Sequence, residues 1–131
     1  MKKILLLLLI VLTGGAYAQA QADARAPKFQ FLNGTSHDFK NVEEQSSSVY
    51  VFKFKNTGKS PLIITNAVGS CGCTVPSFSK APVLPGKTGE IKVTYNATAG
   101  PGPVEKTVFV SSNATTGPFE LHVKGFVKPK K

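Results

Sequence analysis

The chain has 131 residues, 41% of them hydrophobic, with nine Phe, no Trp and a formal net charge of +9. That length and composition fit one domain with a real core and exclude global disorder. Two Cys and two His exclude a zinc ribbon and a Cys-rich disulfide scaffold, and a single Met excludes a Met-rich copper or calmodulin-like surface.

The first eighteen residues read as an export signal. Lys2 and Lys3 form a short positive region, and Ile4 to Leu12 is an unbroken apolar run. Gly14, Gly15 and Ala16-Tyr17-Ala18 follow, the small-x-small pattern read by signal peptidase. The run is too short for a bilayer core, which needs about 20 residues. No Cys lies near the junction, so a lipidated Cys is excluded. The expectation is cleavage after Ala18, with Ala20 and Ala22 as alternatives. The mature chain is then exported, periplasmic or extracellular, without a transmembrane anchor. Residues 19–26 are small and polar and read as a flexible leader.

Short alternating runs separated by Gly, Pro and Asn follow. Phe29 and Phe31 alternate with Lys28 and Gln30, and Phe39 and Val42 mark a second short run. Val49 to Lys55 is the clearest strand, with Tyr50, Phe52 and Phe54 on one face. Asn56 to Pro61 is a turn in which Gly58 is expected at positive φ. Leu62 to Val68 reads as a well-buried strand. Leu84-Pro85-Gly86-Lys87 places Pro and Gly at the centre of a type II turn. Ile91, Val93 and Tyr95 alternate with Glu90, Lys92 and Thr94. Ala99 to Pro103 is a loop. Val104 to Ser111 and Phe119 to Val127 are the last strands, and Gly125 suggests a bulge. No stretch keeps a helical period. About seven strands predict an all-β, immunoglobulin-like antiparallel β-sandwich over residues 27–127, followed by a frayed basic tail at 128–131. With no Trp, and with Cys71 and Cys73 two residues apart, the inter-sheet bridge of antibody domains is excluded.

Three segments stand in order: Phe52-Lys53-Phe54-Lys55-Asn56-Thr57-Gly58 with Pro61-Leu62-Ile63-Ile64, Ser70-Cys71-Gly72-Cys73-Thr74-Val75-Pro76, and Leu84-Pro85-Gly86-Lys87 with Ile91 to Asn96. Together they resemble the secreted bacterial domain-of-unknown-function 1573 family over about Phe39 to Val127. The Ser-Cys-Gly-Cys-Thr segment is the most specific part. A vaguer similarity to the Hydin and abnormal-spindle group of immunoglobulin-like domains rests on the Asn-Thr-Gly-x-x-Pro-Leu-Ile stretch alone. The family resemblance implies an exported immunoglobulin-like domain and brings no activity with it.

Cys71-Gly72-Cys73 is the chemically unusual spot. In an extended strand both thiols emerge on one side with Cα atoms about 6.5–7 Å apart, near the limit for a disulfide. Gly72, lacking a Cβ, can bend the backbone and shorten that distance. A bridge closing three residues contributes only roughly 1.6 kcal/mol by chain entropy. Four readings stand open: packing of two small apolar residues, a redox-active dithiol, a soft-metal site for Cu(I) or Zn(II), or an intermolecular link. Only His37 and His122 offer imidazoles, and both read as surface residues.

Other constellations are thin. Asp38 beside His37 does not by itself make a base and its orienter. There is no Gly-x-Ser-x-Gly elbow and no phosphate-cradling loop. Glu43-Glu44 reads as a solvated turn. Lys53, Lys55 and Lys59 cluster around one strand, and Lys124, Lys128, Lys130 and Lys131 near the end. They suit an anionic surface or an acidic protein, or simply a solvated face. Nucleic acid is disfavoured by export and by the lack of a recognition motif.

The resulting expectation is a non-enzymatic interaction or assembly module of the cell envelope, without a cofactor. Its partner is another envelope protein or an anionic surface. The candidate binding loop is Ser70, Gly72, Thr74 and Pro76, with Ala97 to Pro103 as a second surface. The alternative is a periplasmic thiol redox or soft-metal protein using Cys71 and Cys73.

Overall fold

The computed structural model describes residues 25–115 and 117–131. The expected signal peptide and residues 19–24 of the leader lie outside them. Eight strands follow one another: β1 (Phe29–Phe31), β2 (Ser36–Glu43), β3 (Ser47–Asn56), β4 (Ile64–Gly69), β5 (Thr74–Phe78), β6 (Thr88–Asn96), β7 (Gly102–Ser112) and β8 (Phe119–Lys128). They form two four-stranded sheets, β1-β3-β6-β5 and β2-β8-β7-β4. The all-β sandwich matches the sequence expectation.

Alternation builds the core. Phe52 and Phe54 of β3, Ile91 and Val93 of β6, Val108 and Val110 of β7, and Leu121 and Val123 of β8 are buried in one cluster. Each such side chain stabilises the fold by about 1.5–3 kcal/mol relative to exposure. Phe29 and Phe119 close its lower end, with ring centroids 4.6 Å apart. A second, smaller cluster of Val42, Tyr95, Ala97 and Val127 fills the other end.

Three features of the strand plan differ from expectation. The run read as a well-buried strand from Leu62 to Val68 is β4, which begins at Ile64 and leaves Thr65, Asn66 and Val68 exposed. The eighth strand is β5, whose Pro76 masks a short strand in the sequence. The sandwich is also not wholly antiparallel, because β2 runs parallel to β8. Phe39 and Lys40 together oppose Gly125, since Asp38 pairs with Lys124 and Asn41 with Phe126. The bulge expected at Gly125 therefore sits on its partner strand. Lys40 takes φ 61° there, and its N–H donates to Asp38 Oδ1 at 2.8 Å.

Asn56 organises one end of the sandwich. Its side chain is fully buried. Oδ1 accepts from the N–H of Lys28 at 3.2 Å and of Gly58 at 3.0 Å. Nδ2 donates to the carbonyls of Ser60 at 2.8 Å and Val83 at 2.9 Å. Its own N–H donates to Lys87 O, and its carbonyl accepts from Gly86 N–H. Gly86 has the positive φ (78°) expected of the Pro-Gly turn.

Gly58 does not take a positive φ, contrary to expectation. It is small because the chain crosses it: a Cβ there would lie 2.2 Å from Ala26 O and 2.6 Å from Pro27 Cα. The last leader residues are accordingly docked. Pro27 is buried, and the Ser60 hydroxyl donates to Arg25 O. The basic tail is also tied at its start, where Lys128 O accepts from Glu44 N–H at 2.9 Å.

Asn56→Ala removes all four side-chain bonds and leaves part-buried backbone groups of Lys28, Gly58 and Ser60 without that partner, while Val83 O keeps Leu62 N–H. Such groups cost about 1–3 kcal/mol each. The variant is expected to lose at least ~3 kcal/mol of stability, read as a lower urea midpoint with an unchanged slope.

Candidate functional site

The opposite end carries the cysteines. β4 ends at Gly69, the chain turns through Ser70 to Cys73, and β5 begins at Thr74. Ser70 fixes the turn to β7: its N–H donates to Thr107 O at 2.8 Å, and its Oγ accepts from Thr107 N–H at 3.1 Å. Thr74 N–H donates to Cys71 O at 3.2 Å, closing a tight turn. Asn96 N–H donates to Cys73 O at 2.7 Å, which locks the turn to the end of β6. Gly69 is required where β4 crosses β5, because a Cβ would lie 2.0 Å from Thr74 O.

Cys71 and Cys73 are joined by a disulfide, with Cα atoms 5.2 Å apart. The extended geometry considered for them is replaced by a turn, and the turn supplies the shorter distance. Gly72 faces open space, with nothing within 4 Å of a built Cβ. Both cysteines are half-buried, and Cys73 packs against the Val42, Tyr95, Ala97 and Val127 cluster. Thr74 is 2% exposed. Its Oγ1 lies 3.6 Å from Cys71 Sγ and 3.8 Å from Cys73 Sγ.

The four loop residues singled out in the sequence separate. Ser70 and Gly72 are exposed. Thr74 points inward and is buried, and Pro76 is half-buried. Pro76 also has a backbone role. The Asn96-to-Cys73 bond and the β5–β6 register put the Pro76 nitrogen on the free side of edge strand β5. A missing N–H there blunts the edge against strand addition.

Sequence reading missed the outward residues next to the turn. Val49, Thr94 and Val75 lie in one cross-strand row on the outer face of the first sheet. Val49 is 54% exposed and Val75 49%. Strict alternation from the buried Thr74 and Phe52 would have pointed to both. The next residues along this face are Val51, Lys92 and Ser77, then Lys53 and Glu90. The second surface, Ala97 to Pro103, lies at the same end. Ala97 is buried and pinned to Gln45 and Ser46 by backbone bonds of 2.8 and 2.9 Å.

The histidines stand apart from the sulfurs. His37 is in β2, half-buried where a surface position was expected, and stacks on Tyr50 with centroids 3.6 Å apart. Burial holds its pKa below the usual histidine value, Asp38 opposes that shift and Lys40 adds to it. Asp38 itself pairs with Lys40 at 3.3 Å. His122 contacts Thr107 Oγ1 through Nδ1 at 3.3 Å and lies 3.5 Å from Glu120. Among the described residues no three His, Cys, Asp or Glu side chains group to hold a metal, and no helix is long and apolar enough to cross a membrane. An open groove of about 670 Å³ on the second sheet is lined by Asp38, Lys40, Glu105, Lys124 and Phe126. Its opposite charges neighbour one another, with Glu105 directly across from Lys124.

A family model described as "Protein of unknown function (DUF1573)" matches residues 30–127. No curated protein matches the sequence. Among solved structures, a protein of unknown function from Porphyromonas gingivalis W83 is similar, with TM-score 0.66 and 11% identity over 79% of this chain and 48% of that one. The secreted serine protease VesC from Vibrio cholerae has TM-score 0.53 and 13% identity over 86% of this chain and 25% of that one. A family 123 glycoside hydrolase from Clostridium perfringens has TM-score 0.52 and 11% identity over 76% and 24%. The chain thus spans about half or less of these proteins, and at such identity the likeness establishes the fold alone.

The bridge closes too small a loop to carry much stability. Changing both Cys71 and Cys73 to Ser is expected to lower unfolding stability by less than about 2 kcal/mol. Denaturant titration checks it.

Proposed function

The chain belongs to the DUF1573 family, and from that premise we propose that it is an exported interaction module of the bacterial envelope. The carrying observation is the Val49-Thr94-Val75 row, two half-exposed valines either side of Thr94 on an open sheet face beside the Cys71–Cys73 turn. Branched apolar side chains exposed in register on a rigid sheet are suited to burial against a partner. Lys92 and Lys53 border the strip with Glu90 as the neighbouring carboxylate. A protein partner with an apolar centre and an acidic rim complements that pattern. Two sequence features support export: the apolar leader with its small-x-small end, and a cysteine pair suited to an oxidising compartment.

Binding through the face is favoured over strand pairing. Of the four edge strands, β1 has three residues, β2 and β4 each break register, and β5 carries Pro76 toward its free edge. Each of these discourages an added strand.

A photo-crosslinking residue at Val75, compared with one at Lys87 on the opposite end, tests the reading in cells that export the protein. Val75 is expected to give a discrete higher-mass adduct, reduced at least tenfold by Val49→Asp and retained after both Cys are changed to Ser. Equal adducts from both positions, or a chain that stays in the cytosol, would sink the proposal.

A further inference from the structure

We infer that the Cys71–Cys73 bridge is a thiol–disulfide exchange site in which the Thr74 hydroxyl serves the sulfur that leaves. This goes beyond the interaction reading and does not depend on it.

Three observations carry it. The bridge closes three residues, so it gains little from restriction of the unfolded chain. It sits at a turn whose outer side is open: Gly72 is exposed, and nothing lies near the position of its absent Cβ. The third is Thr74. Its hydroxyl is buried, and its hydrogen-bond partners among the described residues are the two sulfurs. A bridged sulfur is a weak acceptor. A thiolate is a strong one, and a donor to an ionised group makes a far stronger bond. Valine has nearly the same shape and would fill the site without a hydroxyl to satisfy. The hydroxyl therefore gains most when a sulfur carries charge, which is the state created by exchange.

The surroundings give the two sulfurs different roles. Cys73 is packed against Val42, Tyr95 and Ala97 and anchored through its carbonyl to Asn96. Cys71, though equally half-buried, does not pack against that cluster. A thiolate of a client dithiol, on an exported protein or a small molecule, attacks Cys71 Sγ. The Cys71–Cys73 bond breaks, its electron pair passes to Cys73 Sγ, and Thr74 Oγ1–H donates to that thiolate. The second client thiolate then attacks the client sulfur of the mixed disulfide and releases Cys71. The client loses two electrons and two protons and gains a disulfide, while Cys71 and Cys73 become a dithiol. Exchange with a second disulfide runs the same steps back. Thr74 N–H, Ser70 and Asn96 hold the turn by backbone bonds that need no bridge, so the cysteines stay close when it opens.

The test compares the folded wild-type protein with Thr74→Val and Thr74→Ser. Dithiothreitol is added at neutral pH without denaturant, and free thiols are counted by quenched alkylation and mass. The wild-type bridge is expected to open while the fold is intact. Thr74→Val is expected to open about tenfold more slowly, as loss of a hydrogen bond to a charged group implies, and Thr74→Ser to recover the rate. In the reduced protein, thiolate ultraviolet absorbance should appear at higher pH in Thr74→Val than in wild type. Thr74→Ala is read the same way if the valine variant does not fold. A bridge that yields only under unfolding conditions, or variants without the hydroxyl whose rate and thiolate titration overlay wild type, would overturn the inference.

Discussion

The buried carboxamide of Asn56 is the constraint on which the rest of the molecule depends. A side-chain amide enclosed by protein must have its hydrogen-bonding groups satisfied. Here the partners come from three places: the entry to β1, the turn after β3 at Gly58 and Ser60, and the segment leading into β6. One side chain thereby joins three stretches of backbone. Gly58 completes the arrangement, since any side chain there would push away the segment from Ala26 to Lys28.

That end is rigid and closed, and the other end is free to carry chemistry. β3 and β6 run from the Asn56 junction to the cysteine turn, and their ladder is continuous over nine residue pairs. The turn at Ser70 to Cys73 is fastened to both sheets, to β7 through Thr107 and to β6 through Asn96. Such fixing keeps the sulfurs and the Thr74 hydroxyl in one geometry without a hydrophobic lid over Gly72. The strip of Val49, Thr94 and Val75 begins one row below the turn, so a partner seated on it would lie beside the bridge.

The alternation of Phe52 with Phe54, of Ile91 with Val93, and of Leu121 with Val123 made the sandwich legible from the sequence, because a period of two states which face is buried. The Pro-Gly turn at Gly86 was legible for a similarly local reason. β5 was not, because a central Pro argues against a strand unless its nitrogen is known to face a free edge. The reason for Gly58 was hidden too, as it lies in a chain crossing and not in its own φ. The Cys pair was visible as a motif, but its turn geometry depends on Gly69 meeting Thr74 and on Asn96 reaching Cys73. The placing of the Thr74 hydroxyl beside both sulfurs follows from those contacts and has no signature along the chain.

The bridge is where fold and chemistry meet, and its state in the native protein is the most direct thing to measure. Intact mass of protein taken from the exported fraction, denatured in an alkylating agent without prior reductant, reads that state. The account predicts a chain lighter than the dithiol by a pair of hydrogen atoms and carrying no alkyl group, with two groups added once reductant is supplied. Two alkylated cysteines before any reductant would contradict it and return Cys71 and Cys73 to a packing role.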